Sequence, residues 1–285
     1  MKGVVKKFVN QSMVATSTML AALCFSNPLL AFDKSSSDLK LYTFDCGTID
    51  VSNMDVFSSS GDYADQSQRL VGSCYLIRHQ QGDLLWDTGL SAELVDRDPL
   101  VNGVFTLSMK STLKEQLKLL ALTPEDIEYM SISHSHFDHT GQMADFPKAT
   151  WLVTEAELAT IANGEDLKPL YQQIKKHTRE TFTGNYDVFG DGSVVILEMP
   201  GHTHGHTVLQ VNLANTGPVL LSGDLYHQAK SRELKRVPRF NVDEPQTRES
   251  MEQFEALAKK LSARVIIQHE SEDIKQLPTL PKYLD

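Results

Sequence analysis

The run Ser133-His134-Ser135-His136-Phe137-Asp138-His139-Thr140-Gly141 constrains this chain more than any other stretch. It puts three imidazoles and a carboxylate within six residues, directly after the apolar, strand-like segment Ile127 to Ile132. Neutral imidazole and carboxylate are the donors that zinc and neighbouring divalent ions prefer. Side chains two apart at an extended strand end point the same way, so His134 and His136 can grip one ion. The turn that follows lets Asp138 and His139 face a second. A solvated loop needs no such density, since the whole chain has ten histidines and three of them fall here.

Four further positions put a polar ligand type just past an apolar strand. Asp87 ends Leu84-Leu85-Trp86 and precedes Thr88-Gly89, and His202 lies in Pro200-Gly201-His202-Thr203. Asp224 follows Leu220-Leu221-Ser222-Gly223, and His269 follows Val265-Ile266-Ile267-Gln268. Each alone reads equally well as a turn former or helix cap. Leaving Asp87 aside, these positions and the histidine run supply five imidazoles and two carboxylates, a count that suits two adjacent ions with one carboxylate bridging them.

Short strands and amphipathic helices alternate around these positions. Leu39 to Thr43, Cys74 to Arg78 and Asp83 to Asp87 read as strands, the last two as a hairpin across Gln80-Gln81-Gly82. Asn53 to Leu70, rich in Ser, Asp and Gly, reads as a long surface loop of the kind that binds or moves. Lys114 to Leu122, Glu155 to Ala162 and Arg248 to Leu261 read as helices. Thr150 to Val153, Ser193 to Leu197, Thr207 to Val211, Val219 to Ser222 and Arg264 to Ile267 read as strands, while Asn163 to Tyr186 is ambiguous. No internal repeat is visible. The expectation is one α/β domain with functional residues at strand ends.

The N-terminus reads differently. Lys2, Lys6 and Lys7 precede the apolar stretch Met13 to Leu30, no acid occurs before Asp33, and Leu29-Leu30-Ala31 offers a cleavage site. Residues 1–31 are therefore expected to be a signal peptide, 32–38 a flexible leader and 39–285 the domain, with the product periplasmic or secreted. Asn27 and Pro28 break the apolar stretch, which argues against stable membrane insertion after processing. Removing residues 1–31 takes away three lysines and no acids, so the formal charge moves from −10 to −13. Nucleic acid is excluded as a partner by that charge and by the lack of a basic patch. Cys46 and Cys74 would remain, as a disulfide or as two buried small hydrophobes.

Taken together, the His134/His136/Asp138/His139 run, the PGHT at 200–203, the SGD at 222–224 and the late His269 resemble the metallo-β-lactamase superfamily. That resemblance implies a four-layer αββα sandwich with the metal site at the strand ends and two divalent ions, zinc first among them. It implies His134, His136 and His202 on one metal, Asp138, His139 and His269 on the other, and Asp224 bridging. Asp87 would orient a ligand histidine without touching metal. Within the superfamily, the hairpin through Asp87-Thr88-Gly89, the segment Leu122 to Ile127, Gly223-Asp224-Leu225-Tyr226 and the step of twenty-two residues from His202 to Asp224 look most like the N-acyl homoserine lactonases.

The implied activity is hydrolytic opening of a lactone, with Asp138 relaying a proton to the leaving alkoxide. Members of that group place a substrate-side tyrosine three residues after the bridging aspartate, where this chain has His227. Tyr226, one residue earlier, is taken as the candidate to hydrogen-bond the substrate carbonyl. An apolar groove for the acyl tail is expected between the Asn53 to Leu70 loop, through Met54, Val56 and Phe57, and the Leu94 to Met109 segment. The runner-up is a glyoxalase II-like thioesterase; that group usually carries an extra C-terminal helical region, and this chain ends sixteen residues after His269. Oligomerisation is left open.

Other residues read as ordinary structure. His79, His177 and His204 are expected at the surface, Trp86 and Trp151 in the core, and His206 in support of the His202 loop. The charged run Lys230 to Arg239 reads as a solvated loop.

Overall fold

In the computed structural model, which describes residues 38–285, strand after strand is buried on both sides. The first sheet holds β1 (Lys40–Val51), β2 (Gln68–His79), β3 (Gly82–Trp86), β4 (Leu100–Asn102), β5 (Phe105–Ser108), β6 (Tyr129–Ser131), β7 (Thr150–Thr154) and β8 (Arg179–Phe182), in the order β4-β5-β1-β2-β3-β6-β7-β8. The second holds β9 (Tyr186–Asp187), β10 (Val194–Glu198), β11 (Thr207–Leu213), β12 (Gly217–Leu221) and β13 (Arg264–Ile266), in the order β13-β12-β11-β10-β9. The helices are α1 (Leu113–Leu117), α2 (Phe137–Thr140), α3 (Glu155–Asn163), α4 (Lys168–Ile174), α5 (Ala229–Leu234), α6 (Glu244–Leu261) and α7 (Ser271–Lys275).

Period-two alternation builds the layers. Tyr75, Ile77, Leu84 and Trp86 point from the first sheet into a core shared with Ile196, Leu209, Val211, Leu221 and Ile266 of the second. Leu76, Leu85, Met130 and Trp151 point outward, against Leu113, Leu117, Ile161 and Ile174 of α1, α3 and α4. On the far side Leu197, Val208 and Leu220 pack against Met251 and Phe254 of α6. The result is the expected four-layer αββα sandwich.

Element ends moved for local reasons. The helix read from Arg248 begins at Glu244, because the Asp243 side chain accepts from the Gln246 amide and Pro245 occupies the first turn. The helix read over Lys114 to Leu122 is shorter: α1 gives way to a 3-10 turn, and Ala121 at φ 56° ends it. The ambiguous 163–186 stretch holds α4 and β8.

The Asn53 to Leu70 stretch is no simple loop. Met54–Phe57 is a 3-10 turn capped by Asn53, Tyr63 is buried, and β2 already begins at Gln68. Nor is Lys230 to Arg239 a solvated loop. Arg236 pairs with Asp62, Arg239 reaches Asp55 at 2.6 Å, and Tyr63 Oη lies 3.3 Å from Ser231 Oγ, so the two segments are bound to each other. Cys46 and Cys74 form a disulfide between β1 and β2. Among the described residues no helix is long and apolar enough to cross a membrane. The expected signal peptide, and all of the leader but Asp38, lie outside the described residues.

Candidate metal centre

All seven predicted ligands gather where strands of the two sheets end. β6 runs out at Ser131, Ser133 to His136 follow, and α2 carries Asp138 and His139. His202 comes from the turn after β10, Asp224 from a 3-10 turn after β12, and His269 from just past β13. Gly201 permits the His202 turn, because its φ is 127° and a Cβ there would meet the Thr247 amide nitrogen at 2.3 Å.

The side chains sort into two groups: His134, His136, His202 and Asp224, and then Asp138, His139 and His269, each with its donor atoms within 4.8 Å of one another. Asp224 joins them. Its Oδ2 faces His134 Nε2 at 3.6 Å and His202 Nε2 at 3.5 Å, while Oδ1 faces His139 Nε2 at 3.3 Å and His269 Nε2 at 2.9 Å. Asp138 Oδ2 lies 3.7 Å from His139 Nε2 and 3.6 Å from His269 Nε2.

The other ring nitrogens fix which atom points inward. His139 Nδ1 donates to Asp87 Oδ2 at 3.1 Å, and His269 Nδ1 donates to the Val71 carbonyl at 2.8 Å. Each Nε2 then keeps its lone pair for the centre. Asp87 thus stands where a residue orienting His139 should. It also accepts from the Ser133 amide at 2.6 Å, Ser133 Oγ at 3.0 Å and Gln268 Nε2 at 2.8 Å.

The donor set fits cations. His139 Nε2, His269 Nε2 and Asp224 Oδ1 are buried, aimed at one another, and without hydrogen-bond partners. A cluster with polar atoms left orphaned this way is costly unless something else satisfies them. Charge points the same way. Burial alone would raise the pKa of Asp224, but His227, His139, His269 and His134 override it and hold the carboxylate ionised. Burial opposes a proton on His139, yet Asp224, Asp87 and Asp138 outweigh it and push the pKa well above the ordinary range. His269 is raised in the same way by Asp224 and Asp138. Around these two rings the site therefore favours positive charge. His134 and His136 are driven the other way, by burial and then by neighbouring histidines, which favours the neutral ring, the form a metal requires.

Above the centre lies a cavity of about 270 Å³. His136, Asp138, Asp224, His227 and His269 form its polar floor, and Ile49, Phe57, Leu70, Phe105, Phe137 and Phe240 form its walls. Of the three residues expected to line a groove from the 53–70 stretch, only Phe57 reaches it; Met54 is buried in the core and Val56 packs beside it.

Tyr226 does not face this cavity. Its ring packs on Phe254, and its hydroxyl donates to Glu255 Oε1 at 3.0 Å, because the turn after Asp224 sends residue 226 outward and residue 227 inward. His227 takes the inward place, its Nε2 3.0 Å from Asp224 Oδ2 and its ring 4.6 Å from that of Phe57. His206 supports Asp224 more directly than the His202 loop: its Nε2 accepts from the Asp224 amide at 3.0 Å while Nδ1 donates to the Met199 carbonyl at 3.0 Å. His79 and His177 are buried, not superficial. His79 pairs with Asp191 and stacks on Phe189, and His177 Nδ1 donates to the Ile174 carbonyl. His204 is exposed as expected, and Trp86 and Trp151 are core.

Fold and site together define the class, and the family model described as the metallo-beta-lactamase superfamily matches residues 68–269, so the chain belongs to that superfamily. Among its relatives is the N-acyl homoserine lactonase AttM of Rhizobium johnstonii, 28% identical over 266 residues that cover 87% of this chain and 99% of the relative. An N-acyl homoserine lactonase from a Bacillus species is 28% identical over 219 residues, covering 74% of this chain and 86% of the relative. In structure the chain is similar to an AiiA mutant from B. thuringiensis with N-decanoyl-L-homoserine bound at its active site. The TM-score is 0.76 at 25% identity, covering 86% of this chain and 98% of that one.

Proposed function

We propose that this protein is a dinuclear metal-dependent hydrolase that opens the ester ring of lactones, N-acyl homoserine lactones in particular. One observation carries the reading: two histidine–aspartate donor groups share Asp224 at the floor of a cavity with phenylalanine-rich walls. The names of the relatives point to the same substrate class. His134, His136 and His202 would hold one ion, Asp138, His139 and His269 the other, and Asp224 both. Zinc is the ion this mixture of imidazole and carboxylate suits first, with manganese, cobalt and iron as alternatives. A bound pair of divalent ions supplies Lewis acidity toward an ester carbonyl and lowers the pKa of water towards about 7.

The chain's own residues supply the rest. Asp138 borders the cavity, where its carboxylate can accept a proton and return it to the departing alkoxide of the opened ring. His227 borders the same cavity, with its Nε2 3.0 Å from Asp224 Oδ2, and takes the place of the donor to the substrate carbonyl. Phe57, Phe105, Phe137 and Phe240 give an acyl tail its apolar contact. Each buried methylene stabilises by about 0.8 kcal/mol, so these walls grade substrates by chain length.

Export to the periplasm or beyond belongs to the same proposal. Its support is the charged and apolar start of the chain together with the Cys46–Cys74 disulfide, a bond that persists in oxidising compartments. The function is tested by assaying metal-reconstituted protein on acyl homoserine lactones, an acyl thioester and a β-lactam. Turnover should be fastest on the lactones. A thioester hydrolysed faster than every lactone would transfer the assignment to the glyoxalase II-like reading.

A further inference from the structure

We propose that Glu157 is the positioning residue for the His134, His136 and His202 group, acting through the two backbone segments that carry those rings; the inference rests on the metal-binding reading above. Glu157 lies in the first turn of α3 and is 1% exposed. Its Oε1 accepts from the Ser135 amide at 2.6 Å. Its Oε2 accepts from Thr203 Oγ1 at 2.7 Å and from the Gly205 amide at 3.0 Å. Ser135 stands between His134 and His136, and Thr203 follows His202. A single carboxylate thus ties together two segments that are about seventy residues apart and whose histidines must meet within one ion's reach.

The surroundings are built for this contact. Thr154 Oγ1 accepts from the Glu157 amide at 3.1 Å and donates to the Gly205 carbonyl at 3.1 Å, so the start of α3 grips the His202 segment through both residues. Gly205 allows that approach, since a Cβ there would come within 2.3 Å of both the Glu157 nitrogen and Thr154 Oγ1. Among the described residues Glu157 has no lysine, arginine or histidine as an ion-pair partner. Burying such a carboxylate is costly, and three hydrogen bonds, all from the ligand-bearing segments, offset the cost. Asp87 is the counterpart behind the other group, bonded to His139, Ser133 and Gln268. Asp87 touches the His139 ring directly and reaches His134 through Ser133 Oγ, whereas Glu157 alone of the two joins the His136 and His202 segments, touching only what carries the rings.

Replacing Glu157 by Gln keeps the shape but turns one acceptor into a donor, so either the Ser135 side or the Thr203–Gly205 side meets a donor instead of an acceptor. The test is chelator competition on zinc-loaded protein, followed as two release steps. The step abolished in His136→Ala reports the first group, and the step abolished in Asp138→Ala reports the second. In Glu157→Gln the first step should weaken about 10–100-fold, with the second moving no more than about 3-fold. Thr203→Val, which removes one bond of the three and leaves the carboxylate in place, should weaken the same step by a smaller factor, and it decides the question if Glu157→Gln does not fold. Equal weakening of both steps, or weakening of neither, in protein that holds two ions would overturn the role of Glu157 and leave the metal reading standing. Protein that binds no ion at all would overturn both.

Discussion

His227 Nε2 lies 3.0 Å from Asp224 Oδ2, whereas the hydroxyl of its neighbour Tyr226 points away, to Glu255. This pair decides which of two adjacent side chains can meet a substrate. His227→Phe keeps an aromatic ring in the cavity and removes the donor, and it should lower kcat by about 10²-fold, the scale for loss of one oxyanion donor. Tyr226→Phe should leave kcat within about 2-fold and cost about 1 kcal/mol of stability through the lost bond to Glu255. Steady-state kinetics and denaturant melts on the two variants separate the roles. The reverse pattern would restore Tyr226 to the site.

Metal removal should abolish turnover. Dialysis against a strong chelator is expected to give inactive protein, and elemental analysis of active protein should return two divalent ions per chain. Asp224→Ala, which removes the one carboxylate facing both groups, should lose both ions together, whereas His202→Ala should lose one. Activity in rigorously metal-free protein would contradict the proposed chemistry.

The seven residues that gather at the centre were legible in the sequence because each is a polar residue just past an apolar strand, and strands of one sandwich bring their ends to one edge. Asp87 was legible for the same reason. The direction of Tyr226 was not, because it depends on a single residue's dihedral angles in the turn after Asp224, which no periodicity records. Glu157 was hidden for a different reason: in sequence it is one more glutamate in the first turn of a helix, where acids are common, and what covers it, the Ser135 and Thr203–Gly205 segments, is remote in the chain. Arg236 and Arg239 of the 230–239 run looked solvated because their partners, Asp62 and Asp55, lie far away in a stretch that itself read as loop.

His206 makes a pH prediction. Burial, with His202 adding to it, lowers its pKa to about 3, so it stays neutral and accepts the Asp224 amide. An unfolded histidine titrates near 6.5. As pH falls below about 6.5, the unfolded chain takes up a proton that folded His206 refuses, and stability is lost at about 1.4 kcal/mol per pH unit until folded His206 itself titrates. Denaturant melts of metal-free protein at pH 7, 6 and 5 should show this loss, wild type losing about 2 kcal/mol more than His206→Gln across the range. The bonds lost in the variant shift the whole curve without changing its slope. Equal slopes would mean that His206 is protonated in the folded protein.

The cavity walls make a prediction about specificity. Phe57 touches Phe240 at 5.5 Å and Phe105 at 6.2 Å between ring centroids, so it joins the two sides of the apolar cavity. With wild-type protein, kcat/KM should rise with acyl length by up to about 4-fold per methylene, the equivalent of about 0.8 kcal/mol, until the tail outgrows the walls. Phe57→Ala should flatten that dependence, raising KM for decanoyl far more than for butanoyl substrates. A uniform change across chain lengths would place the tail elsewhere.

The disulfide links stability to compartment. Cys46 and Cys74 are both fully buried, and the bond closes a loop with a sequence separation of 28. A loop of that size restricts the unfolded chain by about 3–4 kcal/mol at 25 °C, so Cys46→Ala/Cys74→Ala should lose that much in a denaturant melt. The same bond distinguishes an exported protein from one retained in a reducing compartment. The third cysteine, Cys24, lies within the 1–31 segment expected to be removed. Exported and processed protein should therefore begin near residue 32 by intact mass and show no free thiol when denatured without reductant. Protein held in the cytoplasm should keep Cys24 and titrate at least one. A secreted fraction that still carried the Cys24 thiol would mean that cleavage does not fall where the sequence suggests, and three thiols there would mean that the disulfide does not form in the cell.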